Sequence, residues 1–109
     1  MSIGGGKTKG RSVLTGKIEG EIELLQRHVQ MLREIRDREP IGIIRLSEQL
    51  DIPQHKVRYS LRILEQEGLI KPSPEGAVTT QRLEPFLDEL REILDEMTRT
   101  VRDLRETLD

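Results

Sequence analysis

The segment 46–70 limits the possible folds of this chain more than any other part of it. Its apolar spacing predicts two short helices that each bury one side, at Leu46, Leu50, Ile52, Val57, Leu61 and Leu64. The opposite side of the second helix carries hydrogen-bond donors, namely Gln54, His55, Lys56, Arg58, Tyr59 and Arg62. A helix with that outward face, held by a helix behind it, suits the DNA major groove. The pattern therefore predicts a DNA-binding helix-turn-helix.

The turn between the two short helices, about 44–50 and 53–67, is predicted to fall at Asp51. A tight turn of this kind needs a positive φ, which Asp tolerates at modest cost. Pro53 is suited to the first turn of the second helix, and Gly68 is suited to end it. The segment 39–43, which contains Pro40 and Gly42, is predicted to interrupt the preceding helix.

A β-hairpin is predicted directly after the second short helix. The β-prone runs 69–71 and 77–80 flank a loop of five residues, 72–76, that is rich in proline and glycine. Such a hairpin is the wing of a winged helix. Its charged side chains are Lys71 and Glu75 alone, so this wing is expected to bind phosphate weakly.

A long helix is predicted over 18–38, and it carries two apolar stripes rather than one. The first stripe is Ile18, Ile22, Leu25, Val29 and Leu32, and the second is Leu24, His28, Met31 and Ile35. We therefore expect one side to pack on the domain core and the other on a neighbour. Because His28 lies within a stripe, a packed histidine is a better interpretation than a metal ligand.

The C-terminal segment 81–109 carries an uninterrupted heptad pattern. Its apolar residues alternate steps of four and three, at Leu83, Leu87, Leu90, Leu94, Met97, Val101, Leu104 and Leu108. We call these eight residues the seam. A helix of that length is too long for so small a domain to cover, which predicts a homodimer. The alternative is a monomer in which this helix folds back on its own first helix.

The predicted organisation is a flexible tail over 1–17, a domain over 18–80 and a dimerisation helix over 81–109. The tail carries four basic side chains and no acid, at Lys7, Lys9, Arg11 and Lys17. It is expected to be solvated. The alternative is an arm that adds phosphate or minor-groove contacts when DNA is bound.

Composition restricts the possible functions further. The chain has no cysteine and two histidines, so a transition-metal site is not expected, and no cofactor is predicted. No apolar run is long enough to span a membrane, and no signal-peptide pattern opens the chain, so a cytoplasmic protein is expected. The histidines lie on separate helices and the carboxylates are spread over helix faces, so an enzyme is not expected either.

The order of these elements resembles the small winged-helix transcriptional regulators of bacteria and archaea. The likeness lies in the segments 46–57 and 61–70, the second of which is similar to the family pattern Leu-Glu-x-x-Gly-Leu-Ile. The flanking helices resemble those of PadR-like and MarR-like proteins in layout. The resemblance implies a mainly α fold with a small β-hairpin, a winged helix-turn-helix with long N- and C-terminal helices. It places Lys71 near phosphate and the following residues in the major groove: Gln54, His55, Arg58, Tyr59 and Arg62.

The leading hypothesis is sequence-specific binding of double-stranded DNA by a homodimeric transcriptional regulator. Arg58 and Arg62 lie one helical turn apart, so either can pair with guanine or bridge phosphates. Tyr59 can donate to phosphate or pack at the domain edge, and Lys56 can contact phosphate or remain solvated. The alternative function is a winged-helix protein–protein interaction module in a transcription or chromosome assembly. The sequence indicates neither an operator nor a small-molecule effector.

Overall fold

The computed structural model describes residues 12–109, which form four helices and one two-stranded antiparallel sheet. The helices are α1 (Val13–Arg38), α2 (Ile43–Leu50), α3 (Gln54–Gln66) and α4 (Leu83–Leu108), and the strands are β1 (Ile70–Ser73) and β2 (Gly76–Thr79). The predicted class, mainly helical with a small β-hairpin, is confirmed. The basic side chains at 7, 9 and 11 lie outside the described residues. None of the described helices is long and apolar enough to cross a membrane.

Helix α1 begins at Val13, five residues before its predicted start, so the predicted tail overlaps the helix over 13–17. Ser12 is the N-cap, and its side-chain oxygen accepts a hydrogen bond from the Thr15 amide at 3.2 Å. Gly16 and Gly20 weaken the apolar pattern here, which is why the pattern alone placed the start too late. The helix ends at Arg38, as predicted.

The core lies where the C-terminal half of α1 meets α2, α3 and the hairpin. Met31, Leu32 and Ile35 of α1 are buried against the other members of the cluster, which are Ile41, Leu46, Val57, Leu64, Leu69, Ile70, Ala77 and Leu83. Met31 and Ile35 belong to the second predicted stripe, which faces this core. In the first stripe, Ile18 and Ile22 are exposed. Leu32 also belongs to the first stripe and is buried, so both stripes reach the core in the C-terminal half of α1, while its N-terminal half is largely exposed. The expected division into a core side and a neighbour side is therefore not seen.

The hairpin is tighter than predicted. Ser73 pairs with Gly76, so the turn consists of Pro74 and Glu75, and Pro72 lies within β1 rather than in a five-residue loop. Among residues 12–109 no further strand pairs with this edge of the two-stranded sheet, so the N–H that proline lacks is not needed there and Pro72 is acceptable in β1.

The linker between α1 and α2 adds a short third pairing to the sheet. The Ile41 amide donates to the Ala77 carbonyl at 3.2 Å, and the Ala77 amide donates to the Ile41 carbonyl at 2.8 Å. Gly76 has a φ of 138°, and a Cβ at this position would come within 2.5 Å of the Ile41 carbonyl carbon. A glycine is required there both by the backbone conformation and by the close approach. This contact fixes the hairpin against the start of α2.

Helix α4 leaves the body after its first turns. Leu83 is buried, Phe86 and Leu87 pack against the core, and an Arg36–Glu84 ion pair of 3.3 Å joins α4 to α1. Beyond Leu90 the seam becomes progressively exposed, and Leu108 is 85% exposed. The chain by itself does not adopt the alternative arrangement in which α4 folds back along α1. Leu83 belongs to the core of its own chain, so the predicted seam available to a partner begins after it.

Candidate nucleic-acid interface

The turn between α2 and α3 has the conformation expected from the sequence. Asp51 adopts φ 55° and ψ 47°, the left-handed conformation predicted for it. Ser47 holds the turn from behind, because its carbonyl accepts from the Ile52 amide at 3.1 Å and its hydroxyl donates to the Ile52 carbonyl at 2.5 Å. Pro53 is the N-cap of α3. The start of α3 is therefore fixed relative to α2 by backbone geometry.

One side of α3 is buried against the body. Val57, Ser60 and Leu64 are the buried residues of this helix, and they recur at spacings of three and four, which places them on one face. Ser60 is a buried polar residue, and its hydroxyl oxygen accepts a hydrogen bond from Nε of Arg27 at 2.9 Å. Nδ1 of His28 lies 3.0 Å from the same oxygen. Two side chains of α1 thus converge on one hydroxyl and fix the orientation of α3.

His28 is packed, as the sequence indicated. Its burial, reinforced by the neighbouring Arg27 charge, lowers the pKa of the His28 imidazole below its ordinary value. The ring therefore favours the neutral form. Neutral imidazole has one donor and one acceptor nitrogen, so Nδ1 can either donate to Ser60 or accept its hydroxyl proton.

Tyr59 lies at the edge between α3 and α1. Its ring stacks on His28 with a centroid separation of 6.4 Å, and the Arg27 guanidinium carbon lies 5.9 Å from the ring centroid. The side chain is nevertheless 42% exposed. The geometry accommodates both sequence-based interpretations, packing by the ring and an exposed edge.

The opposite face of α3 is open to solvent. His55, Arg58 and Arg62 are exposed, and their spacing of three and four residues places them on one face, away from the buried residues. None of these three has a partner in the side-chain hydrogen bonds or ion pairs found among residues 12–109. The structure therefore brings three of the predicted DNA-contacting residues together on one unoccupied surface, which we call the outward face.

The remaining predicted residues lie around this face rather than on it. Gln54 shares a shallow cleft with Arg45, Ile44 and Arg58, between the start of α2 and the start of α3. Lys56 lines a different shallow cleft, beside α1 and the Asp51 turn. Lys56 therefore lies on the side of α3 toward α1 rather than on the outward face. Lys71 is exposed on β1.

Arg45 was not among the residues predicted from the sequence. It is exposed on α2 and lies across the cleft from Arg58, which extends positive charge from α3 to α2. The sequence could have indicated Arg45, because it lies between the apolar positions Ile43 and Leu46 and is therefore directed away from the core. The hairpin tip, Pro74 and Glu75, adds no positive charge.

No metal centre accompanies this surface in the part of the chain that the structure describes. No group of three or more His, Cys, Asp or Glu side chains in residues 12–109 is arranged to hold an ion.

Comparisons with known proteins relate the chain to transcription proteins at a distance. No known family model matches it. It is 30% identical over 77 residues to the central glycolytic genes regulator of Priestia megaterium (strain DSM 319 / IMG 1521). That match covers 71% of this chain and 22% of the relative, so the chain spans about a fifth of the length of the curated protein it matches.

A solved structure with a similar fold is the activation domain of the phage T4 transcription factor MotA. The TM-score is 0.53 at 16% sequence identity, and the superposition covers 67% of this chain and 78% of that domain. At this identity the likeness concerns the fold alone. The chain is thus weakly homologous to a transcription regulator and structurally similar to a transcription-factor domain.

Proposed function

We propose that the protein is a transcriptional regulator that binds double-stranded DNA sequence-specifically as a homodimer. In this proposal residues 18–80 form a winged helix-turn-helix, α3 is the recognition helix, and the β1–β2 hairpin is the wing. The observation that carries the proposal is the two-sided character of α3. Its inner face packs through Val57, Ser60 and Leu64, while its outward face presents to solvent cationic and polar donors that have no partner among the described residues.

The proposed contacts divide into base-reading and backbone-positioning groups. Arg58 and Arg62 are assigned to base edges or the adjacent phosphates in the major groove, with His55 and Gln54 beside them. Arg45 is assigned to phosphate, because it lies on α2 at the margin of the outward face. Lys71 and the exposed edge of Tyr59 are assigned to flanking phosphates, and Lys56 to a more distant one. The regulator named in the weak sequence match supports a transcription-related role.

The test is replacement of both arginines on the outward face, Arg58→Ala/Arg62→Ala. A matched control is Arg99→Ala/Arg102→Ala, which removes the same charge from exposed positions of α4. Each arginine that reads a base contributes about 1–3 kcal/mol of discrimination, so the outward-face variant is expected to bind a selected operator at least about 30-fold more weakly. Fluorescence anisotropy gives the affinity, and circular dichroism checks that the melting temperature is unchanged.

Salt dependence distinguishes base contacts from phosphate contacts in the same experiment. Each lost phosphate contact lowers the slope of log K against log salt by about 1. Undiminished operator affinity in the folded Arg58→Ala/Arg62→Ala variant would refute the assignment of the outward face.

A second candidate is a protein–protein interaction module in a transcription or chromosome assembly. It is favoured by the charge balance of residues 41–80, which hold five basic and five acidic side chains, and by the uncharged and acidic residues of the hairpin tip. A random 30-base-pair duplex at low salt discriminates the two candidates. A DNA-binding regulator gives salt-sensitive nonspecific binding, whereas an interaction module gives none.

The proposal includes no catalytic activity and no cofactor, and it places the protein in the cytoplasm. Incubation with duplex DNA, followed by analysis of the recovered DNA, tests the first point, since a regulator of this type returns its DNA chemically unchanged.

A further inference from the structure

Beyond the first turns, the seam of α4 has no packing partner among residues 12–109. Leu94, Met97, Val101, Leu104 and Leu108 are all at least 40% exposed, and together they form one stripe. A contiguous apolar stripe of this kind marks an interaction surface. Because the stripe keeps a strict heptad spacing, its natural partner is another heptad helix.

We propose that this partner is α4 of a second copy of the chain, and that the two helices run antiparallel. The proposal rests on the homodimer that forms part of the proposed function, and it adds the orientation and the register of the two helices. Both follow from the charges along α4.

The two halves of α4 differ in charge. Residues 83–95 hold five carboxylates and one arginine, whereas residues 96–108 hold three carboxylates and three arginines. In a parallel pair the two acidic halves lie side by side and repel each other. In an antiparallel pair each acidic half lies beside the neutral half of the partner, so this repulsion is reduced.

The positions that flank the seam give the same orientation. On one flank lie Phe86, Ile93, Thr100 and Thr107, and on the other lie Glu84, Arg91, Thr98 and Arg105. In a parallel coiled coil the two flanks face each other, and no pair of opposite charges forms because one flank is uncharged. In an antiparallel coiled coil each flank faces the same flank of the partner helix, so the charged flank of one copy faces the charged flank of the other.

The charged flank also selects one antiparallel register. When the two-fold axis passes between Asp95 and Glu96, Glu84 lies opposite the partner's Arg105, and Arg91 lies opposite the partner's Thr98. A shift of one heptad in one direction places Arg91 opposite the partner's Arg91. A shift in the other direction places Arg91 opposite the partner's Arg105. The central register therefore avoids a pairing of like charges that both neighbouring registers contain.

In this register the apolar layers between the two helices are formed by seam residues that are not fully buried in their own chain. Leu87 meets the partner's Leu104, Leu90 meets the partner's Val101, and Leu94 meets the partner's Met97, with each layer repeated by symmetry. Leu83 remains in the core of its own chain, where it is buried. Glu84 keeps its side chain 64% exposed beside Arg36, so the partner's Arg105 can approach it from the other side.

The orientation sets the separation of the two DNA-binding bodies. With a rise of 1.5 Å per residue, Leu83 of one copy and the partner's Leu83 lie about 38 Å apart along the axis. A parallel pair would bring them within roughly 10 Å. The antiparallel spacing is of the same order as one turn of DNA, about 34 Å, which is the separation of adjacent half-sites.

The absence of cysteine from the sequence allows a direct test with the full-length chain. Glu92→Cys and Glu106→Cys each introduce a single thiol at an exposed position that faces away from the seam. Spin labels on these thiols give the distance between equivalent positions in the dimer. In the proposed register the Glu106 labels are separated by about 32 Å along the axis and the Glu92 labels by about 11 Å. After allowance for the lateral offset, the first distance exceeds the second by roughly 15 Å.

The possible results separate the orientation from the homodimer itself. Equal distances at both positions in a dimer would show a parallel pair and overturn the proposal while leaving the homodimer intact. A longer distance at residue 92 than at 106 would overturn the register. Sedimentation of a monomer at all accessible concentrations would overturn both this proposal and the dimeric part of the proposed function.

A charge variant tests the register independently. Arg105→Glu places two carboxylates opposite each other at both ends of the dimer, and is expected to weaken dimerisation by about tenfold. Arg99→Glu makes the same change at a position that faces away from the seam, and serves as the control. Glu84→Arg added to Arg105→Glu is expected to restore dimer affinity. Equal effects of Arg105→Glu and Arg99→Glu would contradict the assigned pairing.

Discussion

Helices α1 and α4 have the same length, 26 residues, but use their apolar residues differently. Helix α1 buries Met31, Leu32 and Ile35 in the core, whereas α4 buries Leu83 alone and leaves the rest of its seam half-buried or exposed. Apolar periodicity thus predicts a helix in both cases without predicting where that helix packs. In the structure α1 packs into the core, whereas the seam of α4 beyond Leu90 is left exposed by residues 12–109.

The sharpest test of this difference compares the same residue type in both helices. Met31→Ala is expected to destabilise the body by about 2–5 kcal/mol, because Met31 is fully buried and its removal leaves a cavity. Met97→Ala is expected to leave the stability of a dilute monomer nearly unchanged, since Met97 is 51% exposed. Its effect should instead be a loss of the stabilisation that dimerisation adds, a loss that is largest at high protein concentration and disappears on dilution.

Chemical denaturation at several protein concentrations measures both effects. A concentration-independent loss of similar size in the two variants would contradict the distinction between an inward-packing α1 and an outward-facing α4.

A smaller effect is expected from the polar contact that joins α1 to α3. Ser60→Ala removes the hydroxyl that contacts both Arg27 and His28. It should lower the free energy of unfolding by about 1–3 kcal/mol, because these part-buried side chains lose a hydrogen-bond partner. Thr98→Ala is the matched control on α4, where the hydroxyl bonds only to the Leu94 carbonyl of its own helix and is exposed. The unfolding free energy of the control should change by less than about 0.5 kcal/mol.

Urea denaturation of the two hydroxyl variants provides the measurement. An equally small loss of unfolding free energy in Ser60→Ala and Thr98→Ala would show that the contact has no part in holding α3 against α1.

The smallest expected effect concerns pH. Burial and the Arg27 charge lower the pKa of His28 in the folded chain, so the unfolded chain binds a proton at higher pH than the folded chain does. Stability from this source is therefore complete above the ordinary histidine pKa and is lost as the pH falls through and below it. The loss of stability on acidification should be shallower in His28→Gln than in the unsubstituted chain.

His55→Gln is the control for this comparison, because His55 is exposed on the outward face. Melting temperatures between about pH 8 and pH 5 should follow the unsubstituted chain in this control. A His28→Gln profile parallel to that of the unsubstituted chain would show that His28 does not link protonation to folding.

Local chemistry explains which parts of the fold were predictable. Asp51 was expected at positive φ because the tight turn between the two short helices needs that conformation and Asp tolerates it, and the structure confirms this conformation. Gly68 ends α3 in the same way, with φ 76°. Both features depend on a few adjacent residues, which the sequence displays directly.

Features that join distant segments were not predictable in the same way. The pairing of Ile41 with Ala77 involves a single residue on each side, and one residue has no periodicity to reveal it. The hairpin loop was predicted too long because prolines at 72 and 74 resemble loop residues, although Pro72 fits an edge strand. At the candidate site, the outward position of Arg58 followed from helix spacing, but the stacking of Tyr59 on His28 depends on how α1 crosses α3.

The contact between Gly76 and Ile41 restricts how this chain can be altered. Any side chain at 76 would meet backbone atoms rather than a flexible neighbour, so the first residue of β2 tolerates no substitution without a shift of the α1–α2 linker. The two turn residues directly before it, Pro74 and Glu75, are exposed and carry no such restriction. If the hairpin contacts DNA as proposed, its exposed two-residue turn is therefore a place where lysine or arginine would add charge without disturbing the body.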